Sequence, residues 1–172
     1  MRKVIFFNHM TLDGFFEGRN RDIHWTTVDR ELNDYTHEQL GSDGLLLFGR
    51  VTYELMAGFW PAAEAKEADP ITADYMNTVS KIVFSHTMEK AGWNNTRLVK
   101  GEAVEEIKKL KNQPGKDMVI LGSSDLISAL MREGLIDEMT IMLNPVILGS
   151  GNPLFHGLET MVNLRLIKFR TF

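Results

Sequence analysis

The feature that most constrains this chain is the alternation of short apolar runs with segments of helical periodicity. Residues 44–48 (Gly-Leu-Leu-Leu-Phe) and 118–121 (Met-Val-Ile-Leu) are apolar runs of this kind, typical of strands that are covered on both faces. Helical segments separate most of the strand-length runs, and helical crossovers join strands that lie parallel in one sheet. The pattern predicts an α/β fold with a mainly parallel central sheet and helices on both faces.

The predicted elements run through nearly the whole chain as one domain, residues 1–172. Strands are expected at residues 4–9, 44–48, 81–85, 97–99, 118–121, 138–143 and 164–170. The first helix is expected after an N-cap at Asp29, with Leu32, Tyr35 and Leu40 on one face. Further helices are expected at residues 50–58, 74–79, 103–111 and 125–133, and long loops at 11–27 and 144–152. Because no helix precedes the last strand, it is predicted to form an antiparallel edge.

The composition excludes several classes of function. A net charge of −4 argues against nucleic-acid binding, because such proteins usually present a basic face. The chain has no cysteine and its five histidines lack close metal-ligand spacing, so no metal site is expected. No apolar run approaches the ~20 residues that span a bilayer, and the one at the N-terminus is too short for a signal peptide. These observations predict a cytoplasmic protein with no membrane or nucleic-acid partner.

A glycine follows the apolar run at residues 44–48 and precedes a predicted helix. Gly49, at the carboxyl end of a strand, lets a ligand approach the backbone closely. The unpaired N–H groups of the next helix favour a phosphate. Arg50 can add a planar fork for phosphate oxygens, and Thr52 can add a hydroxyl. The alternative is an ordinary turn with a surface arginine and an N-terminal threonine.

The run at residues 118–121 ends in the same way. Gly122 is followed by two hydroxyl side chains, Ser123 and Ser124, and by Asp125 at the start of a predicted helix. This junction too could hold a phosphate at the helix N-terminus. The alternative is that Ser124 or Asp125 is a structural N-cap.

A third predicted strand ends in Ser85 and His86. The carboxyl ends of parallel strands share one edge of the sheet, where open α/β sheets bind ligands. Three such strand ends together favour a phosphate-bearing cofactor. The sequence has neither a Walker A motif nor the G-x-G-x-x-G of a Rossmann fold, since residues 14–18 lack that pattern.

Four motifs identify a family resemblance. They are Thr-Leu-Asp-Gly at 11–14, Gly-Arg-Val-Thr-Tyr-Glu at 49–54, Gly-Leu-Ile-Asp-Glu at 134–138 and Pro-Val-Ile-Leu-Gly-Ser-Gly at 145–151. In these motifs the chain resembles the C-terminal reductase domain of the bacterial riboflavin-biosynthesis deaminase/reductase and the wider dihydrofolate-reductase-like family. The resemblance covers nearly the whole chain. It implies a three-layer dihydrofolate-reductase-like fold and a homodimer.

The resemblance also implies that NADPH binds along the carboxyl edge of the sheet. It places the phosphates near Gly49, Arg50 and Thr52, the adenosine ribose and its 2′-phosphate near Ser85 and His86, and the pyrophosphate and nicotinamide near Gly122, Ser123, Ser124 and Asp125. Family members often carry two adjacent glycines in this last loop. Here Ser123 replaces the second of them.

Asp13 and Asp34 are the candidate catalytic residues on the substrate side. Asp13 follows the first strand and could hydrogen-bond a substrate, although Asp-Gly is also a favoured turn pair. Asp34 lies on the first predicted helix, where dihydrofolate reductases place their substrate-binding acid; the alternative is a solvent-facing side chain. Trp25 and Trp60 could stack on a heterocyclic substrate or could simply pack against the protein.

These features predict an NADPH-dependent reductase that transfers a hydride to a small pterin- or pyrimidine-like heterocycle. Riboflavin-pathway reduction itself is not the expected reaction, because that reductase domain normally accompanies a zinc deaminase domain that this cysteine-free chain lacks. A nucleotide- or small-molecule-binding module with little catalysis is the alternative from a different class, since a fold does not determine a function.

Overall fold

The computed structural model describes residues 1–40 and 44–172, with the side chains of Gln39 and Leu40 outside the described part. The strands in this part are β1 (Val4–Thr11), β2 (Phe15–Glu17), β3 (Leu45–Gly49), β4 (Ser80–Phe84), β5 (Thr96–Val99), β6 (Met118–Leu121), β7 (Glu138–Asn144) and β8 (Asn152–Pro153). The helices are α1 (Arg30–Leu40), α2 (Arg50–Phe59), α3 (Ala63–Ala68), α4 (Pro70–Thr78), α5 (Ala103–Lys111) and α6 (Ser124–Arg132). None of these helices is long and apolar enough to cross a membrane.

Six of the strands form one sheet in the order β5-β4-β3-β6-β1-β7. Every neighbouring pair in this sheet is parallel. The register aligns the strand ends, since Leu47 of β3 lies opposite Ile120 of β6 and Phe7 of β1 lies opposite Leu121. The predicted parallel sheet is confirmed. The two glycine junctions, at Gly49 and Gly122, both lie at its carboxyl edge.

Helices cover both faces of the sheet, as predicted. On one face, α5 and α6 pack against Phe6 and Ile120 through Ile107 and Leu130. On the other face, α1, α2 and α4 pack through residues such as Leu32, Tyr53 and Met76 against Phe7 and Phe48. Successive residues of a strand point to opposite faces, which explains why Phe6 and Phe7 belong to different layers.

Side-chain caps define the start of two helices on the second face. The Asp29 carboxylate accepts a hydrogen bond from the Leu32 N–H (2.8 Å), so the predicted N-cap of α1 is confirmed. Leu32 and Tyr35 lie on the packed side of the helix, and the predicted contact of the Leu40 side chain lies outside the described residues. In α4, Asp69 caps the Thr72 N–H (3.0 Å) and Pro70 occupies the first turn.

The segment before β4 was only partly predicted. The helix expected at residues 74–79 begins earlier, at Pro70, because the Asp69 cap and the following proline start it there. The short helix α3 (Ala63–Ala68) was not predicted. Its sequence of Ala, Glu and Lys has high helix propensity but only one buried residue, Ala65, so it shows little apolar periodicity.

The expected C-terminal strand at residues 164–170 was wrong. This segment has no strand, its side chains are exposed, and β7 remains at the edge of the sheet. Strict alternation marks a segment that can pair, but a strand also needs hydrogen bonds to a neighbour. The tail is instead attached to α1, where Arg170 pairs with Glu31 (2.7 Å) and the ring of Phe172 contacts that of Tyr35.

The antiparallel pairing occurs elsewhere, between β2 and β8. These short strands lie at Phe15–Glu17 and Asn152–Pro153. The first falls inside, and the second at the end of, segments that were predicted to be loops. Gly151 makes their close approach possible, because a Cβ at this position would overlap with the backbone oxygen of Glu17.

Candidate functional site

The two glycine junctions lie side by side at the carboxyl edge of the sheet. Gly49 ends β3 and precedes α2, and Gly122 follows β6 and precedes α6. Because β3 and β6 are neighbouring strands, the N-termini of both helices open at the same place. This arrangement presents two sets of backbone N–H groups and two positive helix ends to one ligand.

The Ser123 hydroxyl connects the two junctions. Its Oγ accepts a hydrogen bond from the Gly49 N–H (2.8 Å) and donates one to Oγ1 of Thr52 (2.9 Å). Ser123 has left-handed backbone angles (φ 62°, ψ 58°), which are strained for a residue with a Cβ. The preceding Gly122 is also left-handed, and a Cβ there would lie 3.0 Å from Cγ2 of Thr52. The turn therefore needs glycine at 122. At position 123, where a glycine would be less strained, the serine hydroxyl makes two hydrogen bonds that a glycine would lack.

The first residues of α6 keep their backbone N–H groups available. Ser123 occupies the N-cap position without a side-chain cap hydrogen bond, so the predicted caps Ser124 and Asp125 lie inside the helix. The Asp125 side chain is exposed and pairs with His156 (3.1 Å).

Arg50 and Thr52 lie in the first turn of α2. The Arg50 guanidinium is partly exposed and pairs with Glu54 one turn later on the same helix (2.9 Å). Exposed pairs at this spacing are weak, so Arg50 can leave Glu54 for a phosphate at low cost. Thr52 is held by Ser123 and forms part of the connection between the junctions.

Ser85 and His86 directly follow β4, the neighbour of β3 on the other side from β6. The Ser85 hydroxyl accepts hydrogen bonds from the N–H groups of Thr87 (3.2 Å) and Met88 (3.0 Å), which forms a tight turn. His86 is exposed and lies 3.8 Å from Glu102. The predicted cofactor residues thus extend along one edge over three neighbouring strands.

Asp13 binds the backbone of a distant loop. Its carboxylate accepts hydrogen bonds from the N–H groups of Leu148 (3.1 Å) and Gly149 (2.8 Å) and from the Thr11 hydroxyl (2.7 Å). The Thr11 hydroxyl, with the Gly149 and Leu148 N–H groups, holds the pKa of Asp13 below its usual value. The ionised carboxylate therefore joins the segment after β1 to the loop after β7.

The other predicted substrate-side residues do not lie together. Asp34 is exposed on α1. Trp25 is buried, and its indole N–H donates to the backbone oxygen of Asp22 (3.2 Å). Trp60 lies at the far end of α2 from Gly49, with its ring against Phe59. A helix of ten residues is about 15 Å long, so Trp60 is well separated from the carboxyl edge.

Two polar side chains at the end of β1 were missed by the sequence interpretation. Nδ1 of His9 accepts a hydrogen bond from the Asn144 amide (3.3 Å), and burial lowers the pKa of His9. The neutral ring therefore carries its proton on Nε2. Asn8 has a buried amide nitrogen without a hydrogen-bond partner among the described residues. Both are polar residues within a predicted strand (residues 4–9) that is otherwise apolar, and the local sequence does not indicate their partners.

The described part of the chain has no set of side chains placed to bind a metal ion. No group of three or more His, Asp or Glu side chains there is arranged to hold a metal ion. The candidate site depends instead on backbone N–H groups, hydroxyls and one guanidinium.

Comparison with known proteins identifies the family. The model of the RibD C-terminal domain matches residues 2–172. The chain belongs to the RibD C-terminal domain family. The chain is also similar to the uncharacterized protein YyaP of Bacillus subtilis, with 32% identity over 171 residues, covering 99% of this chain and 89% of that protein.

Solved structures confirm the fold. A protein of Shewanella sp. PV-4 with a provisional assignment to riboflavin biosynthesis is 26% identical, with a TM-score of 0.71, over 96% of this chain and 90% of that one. The diaminohydroxyphosphoribosylaminopyrimidine deaminase/5-amino-6-(5-phosphoribosylamino)uracil reductase of Thermotoga maritima is 17% identical, with a TM-score of 0.65, over 96% of this chain and 51% of that one. Dihydrofolate reductase from Enterococcus faecalis, complexed with NADP(H), is 15% identical, with a TM-score of 0.59, over 91% and 79%. The predicted dihydrofolate-reductase-like fold is therefore confirmed, and this RibD C-terminal domain shares it with reductases.

Proposed function

We propose that this protein is an NADPH-dependent reductase that transfers a hydride to a small pterin- or pyrimidine-like heterocycle. The observation that carries the proposal is the connection of two strand–glycine–helix junctions by Ser123 at one edge of the sheet. Reductases with the same fold support it, and one of them was solved with NADP(H). The cofactor supplies the hydride, and the protein supplies binding and orientation.

The residues along the edge fit a dinucleotide. Gly122 makes the left-handed turn that leads into α6, and the N–H groups at the start of α6 suit a pyrophosphate. Arg50 offers a guanidinium at the start of α2, directly after Gly49, and it gives up only an exposed partner. Ser85 and His86, one strand further out, would contact the adenosine ribose and its 2′-phosphate.

The substrate would lie beyond the cofactor, near the ends of β1 and β7. The neutral His9 ring in this region would donate from Nε2–H to an uncharged heterocycle. We keep Asp13 and Asp34 as proposed catalytic residues and Trp25 as a proposed substrate contact. Trp60, at the far end of α2, would contact only a part of the substrate that extends away from the carboxyl edge. Asp13 would then act through the loop that it holds, since its oxygens already accept three hydrogen bonds.

The family resemblance also supports proposals about the molecule as a whole. We propose that residues 1–172 work as one reductase domain, in the cytoplasm, as a homodimer without a nucleic-acid or membrane partner. The mildly acidic net charge of −4 is consistent with a small-molecule substrate rather than nucleic acid.

A titration with NADPH and NADH, followed by fluorescence, tests the cofactor. We expect NADPH to bind more tightly than NADH and Arg50→Ala to weaken NADPH binding by roughly tenfold, because a charge-assisted hydrogen bond is lost. Arg97→Ala is the matched control, since the exposed Arg97 also pairs with a glutamate (Glu106, 2.7 Å) but lies on β5. Equal losses in both variants would remove Arg50 from the site.

Catalysis is tested by a screen of pterins, pyrimidines and flavins for oxidation of bound NADPH. Oxidation that depends on one substrate class would establish the reductase. Tight NADPH binding without oxidation in any of them would favour the binding-module alternative. No binding of either nucleotide at millimolar concentration would exclude the proposed function.

A further inference from the structure

The sheet opens between β1 and β6 at the carboxyl edge. Pairing between these strands ends at Phe7 and Leu121, after which β6 turns away at Gly122. Strand β1 continues to Thr11, paired on its other side with β7. Asn8 is the first residue of β1 that has lost its β6 neighbour, and it lies beside the Gly122 turn.

The side chain of Asn8 carries a buried donor that has no acceptor. Its amide nitrogen is buried and makes no hydrogen bond within the described part of the chain. Asn8 lies on the same face as Phe6 and opposite Ile141 of β7, and the residue as a whole is half-buried. A buried N–H group without a partner costs free energy on folding, and such groups in native proteins call for an explanation. An acceptor supplied from outside the chain explains this one.

The order of groups along the edge identifies that acceptor. Ser85 and His86 follow β4, and Arg50 and Thr52 follow β3 at the start of α2. The α6 N-terminus follows β6, and Asn8 on β1 comes last. Neighbouring strands are about 4.8 Å apart, so the row spans about 14 Å from β4 to β1, which suits an extended dinucleotide. If the 2′-phosphate lies at β4 and the pyrophosphate at α6, the uncharged nicotinamide end lies over β1. Its carboxamide oxygen is the acceptor there.

We propose that Asn8 is a cofactor-binding residue whose amide donates a hydrogen bond to the carboxamide oxygen of the nicotinamide. The proposal rests on the proposed NADPH function. The hydrogen bond orients the ring that delivers the hydride, at the position where β1 loses its β6 neighbour and close in sequence to His9. Asn8 therefore acts on the reactive end of the cofactor and leaves the adenosine end untouched.

The test compares two ligands and two variants. NADPH and 2′-phospho-ADP-ribose differ by the nicotinamide, so only the first can reach Asn8 with a carboxamide. Asn8→Leu removes the donor and keeps the branching and the number of heavy atoms of the side chain. Ser128→Ala is the matched control, because Ser128 Oγ is the other buried side-chain atom without a partner among the described residues. It belongs to α6, and its side chain is buried in the core.

We expect Asn8→Leu to bind NADPH about tenfold more weakly and 2′-phospho-ADP-ribose as tightly as the wild type. Both variants should unfold at a temperature no lower than the wild type, since each removes an unsatisfied buried group. Ser128→Ala should bind both ligands normally. If Asn8→Leu does not fold, Asn8→Ala is measured with the same two ligands.

Unchanged NADPH affinity, or an equal loss for the two ligands, would overturn the role of Asn8 alone. A wild-type protein that binds neither ligand would overturn the proposed function, and the role of Asn8 with it. The two failures are therefore distinguished by the wild-type titration.

Discussion

Single residues at the candidate site hold together parts of the chain that are far apart in sequence. Ser123 bonds to Gly49 and Thr52, and Asp13 bonds to Leu148 and Gly149. Local sequence predicted the glycine junctions, because an apolar run followed by a glycine is a pattern of neighbouring residues. It could not predict these cross-links, because the partner of a hydroxyl or carboxylate is distant in sequence and depends on the order of the strands in the sheet. The same limit hid the missing acceptor of Asn8.

Lys81 shows how one buried charge makes stability depend on pH. Its ammonium group is buried, donates to the backbone oxygens of Val79 (2.7 Å) and Asn94 (3.1 Å), and lies 4.5 Å from the ring centre of Trp93. Burial lowers the pKa of Lys81 from 10.5 to about 8. Between these two values the unfolded chain binds more protons than the folded one.

We therefore expect the free energy of unfolding to rise with pH from about 8 to about 10.5 through this group. The cost of charging Lys81 is full below pH 8, where both states are protonated. Urea unfolding of the wild type and of Lys81→Met at pH 7 and pH 10 measures the effect. The difference between wild type and variant should shift in favour of the wild type at pH 10. A difference that is independent of pH would show that Lys81 titrates normally.

Whole elements were predicted when their own sequence determined them. The buried parallel strands were found because each is an apolar run, and α1 because Asp29 caps it. Strands β2 and β8 are too short to show a pattern, and the tail at 164–170 shows a pattern without a partner. An element whose existence depends on pairing cannot be read from its own residues alone.

The pairing of β2 with β8 depends on the absence of a side chain at Gly151. A Cβ there would overlap with the backbone oxygen of Glu17, which cannot move without breaking the pair. We expect Gly151→Ala to lower the free energy of unfolding by about 1–3 kcal/mol, as overpacking commonly does. Gly101→Ala is the control, because a Cβ at Gly101 meets nothing within 4 Å. Equal stability of the two variants in urea would show that the β2–β8 pair accommodates the added methyl group without loss of stability.

At the scale of the whole molecule, the described surface has an open sheet edge and an apolar tail. β7 has a neighbour on one side only, and tail residues such as Leu166 and Phe169 are 79% and 81% exposed. Unpaired edges and contiguous apolar surface promote association between chains. These features support the proposed homodimer, with the tail and the β7 edge at the interface.

We expect light scattering to give a mass of two chains of 19.6 kDa each. Replacing Leu166 and Phe169 by Glu should produce a monomer, because charges at a buried contact are costly. Ile71→Glu, at a position that is 63% exposed on α4, should remain a dimer. A monomeric wild type would exclude the proposed assembly, and a dimeric double variant would place its interface elsewhere.

The strand order also has a consequence for synthesis of the chain. β1 is synthesised first, but its two neighbours in the sheet are β6 and β7. Val4 can therefore pair with Met118, and Ile5 with Glu138, only after those residues have been synthesised. Contacts between distant segments form slowly because a long loop must close first. On the ribosome, the apolar segment around Phe6 and Phe7 therefore stays uncovered until most of the polypeptide has emerged. Nascent chains that stall before β6 should be the form most in need of a chaperone.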